Sequence, residues 1–98
     1  MESLIGNTHL IELKKLNPFI NNGIKILIKC EHLNPTGSIK DRIAKHIFNQ
    51  AEQSGNLKKG MTIIAASSGN TACSVAFISS IRGYKCKVIT NDKCSKEK

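Results

Sequence analysis

Aromatic residues are scarce in this sequence: its 98 residues include no tryptophan, one tyrosine and three phenylalanines. Few rings are therefore available to stack on nucleic-acid bases. None of the four cysteines forms a C-x-x-C pair, which argues against a zinc ribbon. No apolar run approaches the roughly 20 residues that span a bilayer, so the sequence predicts no transmembrane helix.

Acidic residues are also few, with seven Asp and Glu against 15 Lys and Arg, which gives a net charge of +8. Such an excess is typical of proteins that bind nucleic acid, anionic small molecules or membrane surfaces. The basic residues are scattered along the chain, however, and form no long block of like charge. We therefore expect a solvated basic surface and neither a nucleic-acid nor a membrane partner.

The N-terminus and the cysteines bear on the cellular compartment. Residues 1–4 carry an acid and no basic region, unlike a secretory signal. Cys30 and Cys73 fall within apolar stretches, which is typical of buried reduced thiols. The sequence predicts a cytoplasmic protein with no disulfide framework and no metal site.

The spacing of apolar residues switches between strand and helix periods along the chain. The alternation from Ile24 to Cys30 predicts a half-buried strand. Ser38 and Asp41 have the spacing of a capping box that begins a helix, which Gly55 ends. The other predicted elements are a short strand at 10–13, a fully buried strand at 61–66, a helix at 71–82 closed by Gly83, a strand at 85–90 and a helix start at Ser95.

Each of the two complete helices has one apolar side. In the first it comprises Ile39, Ile43, Ala44, Ile47, Phe48 and Ala51, and in the second Ala72, Val75, Ala76 and Ser79. Two β-α-β crossovers predict parallel strands, and a parallel sheet is covered by helices on both faces. Two helices leave one face open, so we expect residues 1–98 to be the front portion of a larger α/β domain with a three-layer α/β/α-type parallel sheet.

Two strand-to-helix loops, 34–42 and 67–71, concentrate polar residues. Ligands of open α/β sheets collect at such places, because free backbone N–H groups and the helix dipole favour anions there. On the residues alone, the loop at 67–71 is either a cradle for a carboxylate or phosphate, or an ordinary helix cap.

Lys40 lies in the first turn of the predicted helix, where a cation opposes the helix dipole. One interpretation is that this position, together with burial, favours the neutral amine that Schiff-base chemistry needs. The other is a solvated surface lysine that Asp41 partly compensates. The residues alone leave both interpretations open.

Five segments resemble, in order and spacing, the cysteine synthase and cystathionine β-synthase family of fold-type II pyridoxal-phosphate enzymes. Residues 5–10 resemble the family's opening I-G-N-T-P-L, and residues 34–42 resemble its lysine motif N-P-x-G-S-[VI]-K-D-R. Residues 68–71 match its S-G-N-T loop, and residues 83–85 match G-Y-[KR]. Residues 92–98 resemble the D-K-x-S-x-E-K stretch of the cystathionine β-synthase-like branch. The resemblance covers the whole chain.

The resemblance implies a role for residues of both loops. Lys40 would form the Schiff base with pyridoxal 5'-phosphate and later move the Cα proton of the substrate. Asn70 would hydrogen-bond the phenolic oxygen of the cofactor. The carboxylate of the amino-acid substrate would be held by Ser67, Ser68, Gly69 and Thr71.

The resemblance also implies a reaction and partners. The reaction would be β-replacement in cysteine biosynthesis, in which O-acetylserine loses acetate and sulfide adds. One alternative is the cystathionine β-synthase reaction of serine with a thiol. Another is a non-catalytic fragment that pairs with a separate C-terminal piece or with a homologue. Full-length members of the family would be homodimers.

The chain departs from the family pattern in several places. His9 replaces a proline, Ala65 an acidic residue that is common there, and Ala72 a glycine. Its seven glycines are never adjacent, whereas the family holds the cofactor phosphate in a downstream loop rich in glycine and threonine. We therefore expect an N-terminal portion that ends before the phosphate-binding loop and is inactive alone.

Overall fold

A computed structural model of the chain describes residues 1–91. The strands are β1 (Leu10–Glu12), β2 (Leu27–Lys29), β3 (Thr62–Ala66) and β4 (Lys85–Ile89), and the helices are α1 (Lys40–Gln53) and α2 (Asn70–Arg82). Short 3-10 helices lie at Glu2–Leu4, Ile20–Asn22 and Glu31–Leu33. The predicted helix start at Ser95 and the motif at 92–98 lie outside the described residues.

The second predicted β-α-β unit is confirmed. Strands β3 and β4 pair in parallel, with Thr62 opposite Lys85 and Ala66 opposite Ile89, and α2 connects them. The prediction of a first such unit is wrong for the described residues, because β2 pairs with β1 instead of β3. These two strands are antiparallel and form a separate two-stranded sheet.

The strands are more exposed than the sequence predicted. Strand β2 is three residues long and exposed throughout, and the expected alternation gives way to burial at Cys30 alone. Strand β3 is not fully buried: Ile63 is half-buried against the core, whereas Ile64 on the opposite face is 66% exposed. Helix α2 packs on the β3–β4 sheet from one side, which accounts for this asymmetry.

The core lies between the two helices and consists of Ile5, Ala44, Phe48 and Ile78. Predicted burial is confirmed for Ala44 and Phe48 of α1, but Ile39, Ile43 and Ile47 are exposed. Helix α1 packs against α2 on one side, so only a narrow stripe of it is covered. In α2, Ala72 and Ser79 are buried as predicted, Ser74 and Ile78 are buried as well, and Ala76 is exposed.

The predicted capping box is not formed. Helix α1 begins at Lys40, two residues after Ser38, and the Ser38 hydroxyl accepts a hydrogen bond from the Lys40 N–H at 3.2 Å. The Asp41 carboxylate bonds to Thr36 and Ser74 and is completely buried. The helix ends are confirmed: Gly55 and Gly83 follow α1 and α2 in the left-handed conformation, with φ of +79° and +78°.

Three of the four cysteines lie in the described part of the chain. Cys30, Cys73 and Cys86 are free thiols, of which Cys30 is buried. No helix between residues 1 and 91 has the length and apolar character to cross a membrane. The same residues contain no group of three His, Cys, Asp or Glu side chains arranged to hold a metal ion.

Candidate functional site

The two polar loops identified in the sequence precede helices that pack against each other. Lys40 is the first residue of α1 and Asn70 is the first residue of α2. The first N–H groups of a helix have no acceptor within the helix, which favours an anion at a helix start. In α1 these groups bond within the loop: the Lys40 N–H donates to the Ser38 hydroxyl, and the Asp41 and Arg42 N–H groups donate to the carbonyls of Ser38 and Ile39. Both loops therefore lead into the same packed pair of helices, α1 and α2.

A hydrogen-bonded carboxylate, that of Asp41, joins the two helix starts. Its Oδ2 accepts from the Thr36 N–H at 2.8 Å, and its Oδ1 accepts from the Ser74 hydroxyl at 2.6 Å. The Thr36 hydroxyl donates to Oδ1 at 2.5 Å and lies 3.2 Å from the Ser74 hydroxyl. Asp41 therefore links the lysine loop to α2, one turn after Asn70.

The loop at 67–71 lies at the carboxyl end of β3. The Ser67 N–H donates to the Ile89 carbonyl at 3.0 Å, which fixes the start of the loop against the end of β4. The Ser67 hydroxyl accepts from the Gly69 N–H at 3.2 Å and shapes the turn into α2. A shallow concavity opens here, lined by Ala66, Ser67, Ser68, Ile89, Thr90 and Asn91. Asn70 and Thr71 are exposed beside it.

The Lys40 side chain is half-buried. Between residues 1 and 91, its amine has no hydrogen bond and no ion pair. An unpartnered amine at one helix start, with backbone donors and hydroxyls at the other, fits a carbonyl cofactor bound to the lysine and an anionic group bound to the loop.

A second cluster, centred on Glu31, was not predicted from the sequence. Its carboxylate receives two hydrogen bonds from Arg42, from Nε at 2.8 Å and from Nη2 at 2.9 Å, and one from the Thr8 hydroxyl at 2.6 Å. The hydrogen bonds from Arg42 and then from Thr8 lower the pKa of Glu31 from 4.5 to about 2. Arg42 and Thr8 lie 11 and 23 residues from Glu31 in the sequence, and no local pattern marks them as its partners.

Asn34 connects the opening segment to the lysine loop. Its Oδ1 accepts from the Gly6 N–H at 2.8 Å, and its Nδ2 donates to the Glu31 carboxylate at 2.8 Å. Asn34 is buried. The segments at 5–10 and 34–42, which are separate in sequence, are therefore one hydrogen-bonded unit in the structure.

A third cluster, around Arg82, ties the end of α2 to the N-terminus. Arg82 forms an ion pair with Glu2, contacts Glu52 at 3.0 Å, and lies 5.7 Å from the centre of the Phe48 ring. The hydrogen bond from Arg82 lowers the pKa of Glu2, and the same bond raises the pKa of Arg82. Tyr84 donates to Glu52 at 3.0 Å, and desolvation is the main cause that raises the pKa of its hydroxyl.

Comparison with known proteins identifies the family. The family model described as "Pyridoxal-phosphate dependent enzyme" matches residues 1–98. The chain belongs to this family. The resemblance to the cysteine synthase and cystathionine β-synthase group is confirmed by its relatives.

Two relatives illustrate the extent of the match. Cysteine synthase B of Salmonella typhimurium is 42% identical over 98 residues, which are 100% of this chain and 32% of that protein. Cystathionine beta-synthase of Apis mellifera is 46% identical over 94 residues, which are 96% of this chain and 19% of that protein. The chain thus spans about a third of the one relative and about a fifth of the other.

Solved structures give the same result for the fold. A hydrogen sulfide-producing enzyme from Fusobacterium nucleatum superposes with a TM-score of 0.90 at 40% identity, covering 98% of this chain and 31% of that one. Cysteine synthase from Entamoeba histolytica superposes with a TM-score of 0.89 at 38% identity, covering 98% and 29%. The described residues have the α/β architecture of part of a fold-type II enzyme, as expected.

Proposed function

We propose that this chain provides the cofactor-binding lysine and the substrate-carboxylate loop of a pyridoxal-phosphate-dependent β-replacement enzyme of the cysteine synthase type. The observation that carries the proposal is the Asp41 bridge, which joins the first turn of α1, with Lys40, to the start of α2. The 42% identity to cysteine synthase B supports the choice of reaction. Residues 1–98 would be the N-terminal part of the enzyme domain.

In this proposal each residue has the role implied by the family resemblance. Lys40 would hold the cofactor covalently and later move the Cα proton of the substrate. Asn70 would donate a hydrogen bond to the phenolic oxygen of the cofactor. The substrate carboxylate would bind to Ser67, Ser68, Gly69 and Thr71, because N–H groups and hydroxyls at a helix start favour an anion.

The overall reaction converts O-acetylserine and sulfide into cysteine and acetate. The bound cofactor supplies an electron sink for the negative charge that develops at Cα. The bonds from the loop would orient the amino acid so that its Cα–H bond faces the Lys40 amine. Orienting the reactants in this way lowers the entropic part of the barrier. The cytoplasm remains the predicted compartment, and a homodimer the predicted assembly.

The phosphate group of the cofactor would need residues that this sequence does not contain, since its seven glycines are never adjacent. We therefore expect the 98-residue chain to bind the cofactor weakly and to form no cysteine from O-acetylserine and sulfide. Steady formation of cysteine by the purified chain would contradict this expectation.

Site-selective labelling tests the proposal without requiring turnover. The chain is incubated with pyridoxal 5'-phosphate, reduced with borohydride and analysed by peptide mass spectrometry. We expect the pyridoxyl group to accumulate on Lys40 in preference to the other lysines. Lys40→Ala should remove the preferred label, whereas Lys45→Ala, a change to a half-buried lysine of the same helix, should not. Label spread evenly over all lysines would contradict the proposal.

The same loops suit a second reaction, the replacement of the hydroxyl of serine by a thiol. The 46% identity to cystathionine beta-synthase favours this alternative. Competition with the label distinguishes the substrates: the amino acid that binds at 67–71 should protect Lys40 from reduction at the lower concentration. Protection by serine in preference to O-acetylserine would favour the second reaction.

A non-catalytic role is a further candidate, because much apolar surface is exposed. Ile64 and Ile89 on the open face of the β3–β4 sheet are 66% and 60% exposed, and Ile47 of α1 is 57% exposed. A piece homologous to the rest of a cysteine synthase would cover such surfaces. Co-purification with that piece, in the absence of Lys40 labelling, would favour an interaction role over catalysis.

A further inference from the structure

The Asp41 carboxylate lies immediately after Lys40 in the first turn of α1 and has no exposed surface. It accepts three hydrogen bonds, from the Thr36 N–H, the Thr36 hydroxyl and the Ser74 hydroxyl. No Lys or Arg between residues 1 and 91 forms an ion pair with it. Because the carboxylate is buried and bound by internal donors, it is not placed to touch a substrate or a cofactor.

The donors to Asp41 come from two different segments. Thr36 lies in the loop before α1, and Ser74 lies four residues after Asn70 in α2. Breaking these bonds is costly, above all for the Ser74 hydroxyl, which is completely buried and would lose the Asp41 carboxylate as its acceptor with no access to water. The bridge therefore restrains the backbone at Lys40 relative to α2, the helix that begins within the 67–71 loop.

We propose that Asp41 is a positioning residue, which holds the Lys40 amine and the 67–71 loop at the separation that one ligand requires. This inference rests on the proposed function, in which both groups serve the same cofactor and substrate. Asp41 acts through the backbone of Lys40 and through Ser74, not by contact with the ligand. Small displacements of reacting groups reduce rates strongly, which gives such a bridge its importance.

The test compares the labelling of Lys40 in wild type and in Asp41→Asn. Asparagine keeps the size of the side chain, but it replaces one acceptor oxygen with an N–H donor, so at least one of the Thr36 and Ser74 donors loses its partner. We expect the ratio of pyridoxyl label on Lys40 to that on Lys45 to fall roughly tenfold. Thr36→Val, which removes one hydroxyl, should lower the ratio less, and Thr36→Ser, which keeps it, should restore the wild-type ratio.

Glu2→Gln is the control for a general loss of stability, because it weakens the ion pair with Arg82 at the other end of α2. Its labelling ratio should remain that of wild type even where its melting temperature falls as far as that of Asp41→Asn. An equal fall of the ratio in Glu2→Gln would overturn the positioning role. A selective wild-type label that Asp41→Asn leaves unchanged would overturn this inference and leave the proposed function standing. Absence of selective labelling in wild type would overturn the proposed function, and the positioning role with it.

Hydrogen exchange without cofactor provides an independent measurement, which also applies if labelling is weak. In Asp41→Asn, amides near Thr36 and amides of residues 70–74 should both exchange faster than in wild type. The amides around Gly83, at the far end of α2, should not change. Faster exchange confined to the Thr36 loop would overturn the proposed link between the two helix starts.

Discussion

Glu31 shows how single residues organise this chain. It receives a bidentate pair of hydrogen bonds from Arg42 and a further bond from Thr8, while Asn34 bonds both its carboxylate and its carbonyl. Bidentate Arg–carboxylate pairs are geometrically specific, so Glu31 fixes the orientation of the lysine motif's arginine.

The low pKa of Glu31 predicts acid sensitivity. Its folded-state pKa is about 2 against an ordinary value of 4.5, so its contribution to stability is present above pH 4.5 and is lost as the pH falls toward 2. The pKa of Glu2 is lowered in the same direction. The melting temperature, followed by circular dichroism, should therefore fall across this pH range.

Glu31→Gln should flatten the fall of the melting temperature with pH. Glu12→Gln, at a site with no ion pair within residues 1–91, should leave the slope unchanged. Equal slopes in wild type and Glu31→Gln would contradict the prediction.

Gly6→Ala should destabilise the fold more than Gly23→Ala. Both glycines have positive φ, +85° and +75°, so the added strain should lower the free energy of unfolding by about 1 kcal/mol in each variant. A Cβ at Gly6 would in addition lie 3.0 Å from Nη1 of Arg42, whereas nothing lies within 4 Å at Gly23. Moving the Arg42 side chain away would break its hydrogen bonds to Glu31 and Thr8. Urea denaturation measures the difference, and equal losses would show that Arg42 yields freely.

At the scale of elements, two neighbouring apolar side chains of helix α1 should differ strongly in their contribution to the free energy of unfolding. Phe48 is 3% exposed, packs in the core and lies 6.0 Å from the Tyr84 ring, whereas its neighbour Ile47 is 57% exposed. Phe48→Ala should lower the free energy of unfolding by about 3–5 kcal/mol, and Ile47→Ala by about 0.5 kcal/mol. Urea denaturation and soluble yield give both values, and Phe48→Leu serves as the milder variant if Phe48→Ala does not fold. Similar losses at Phe48 and Ile47 would mean that α1 packs on its other side.

At the scale of the whole molecule, many large hydrophobic side chains lie at the surface. Nineteen large hydrophobic side chains of the described residues are exposed, among them Ile43 at 45% and Ile47 at 57%. A monomer seldom exposes continuous apolar patches larger than about 300–600 Å², so such faces mark sites of association. The 98-residue chain should therefore associate with itself or with a partner in a concentration-dependent way.

Replacing Ile43 and Ile47 together with Gln should reduce this association and leave the melting temperature nearly unchanged, because both side chains are exposed in the isolated chain. Sedimentation velocity over a range of concentrations measures the association. Gln50→Ser, a polar change on the same surface of α1, should have no effect. A double variant that associates as strongly as wild type would place the contact elsewhere.

The sequence predicted several features because they depend on neighbouring residues. Helix α2 and its end at Gly83, strand β4 and the glycine end of α1 follow local spacing and backbone preference. The family motifs were equally visible, because each is continuous in the chain. Burial was predicted less well: Ile43 and the whole of β2 are exposed, since burial depends on what packs against an element.

What the sequence by itself determined is the order of elements, the position of Lys40 at a helix start and the polar loop that begins the next helix. Only the tertiary structure decided which side chains hold these loops together. Asp41 was predicted to cap its own helix, but it bonds to Ser74, 33 residues away. Glu31 similarly joins Thr8 and Arg42. Contacts between distant residues depend on how the whole chain packs, and no local spacing encodes them.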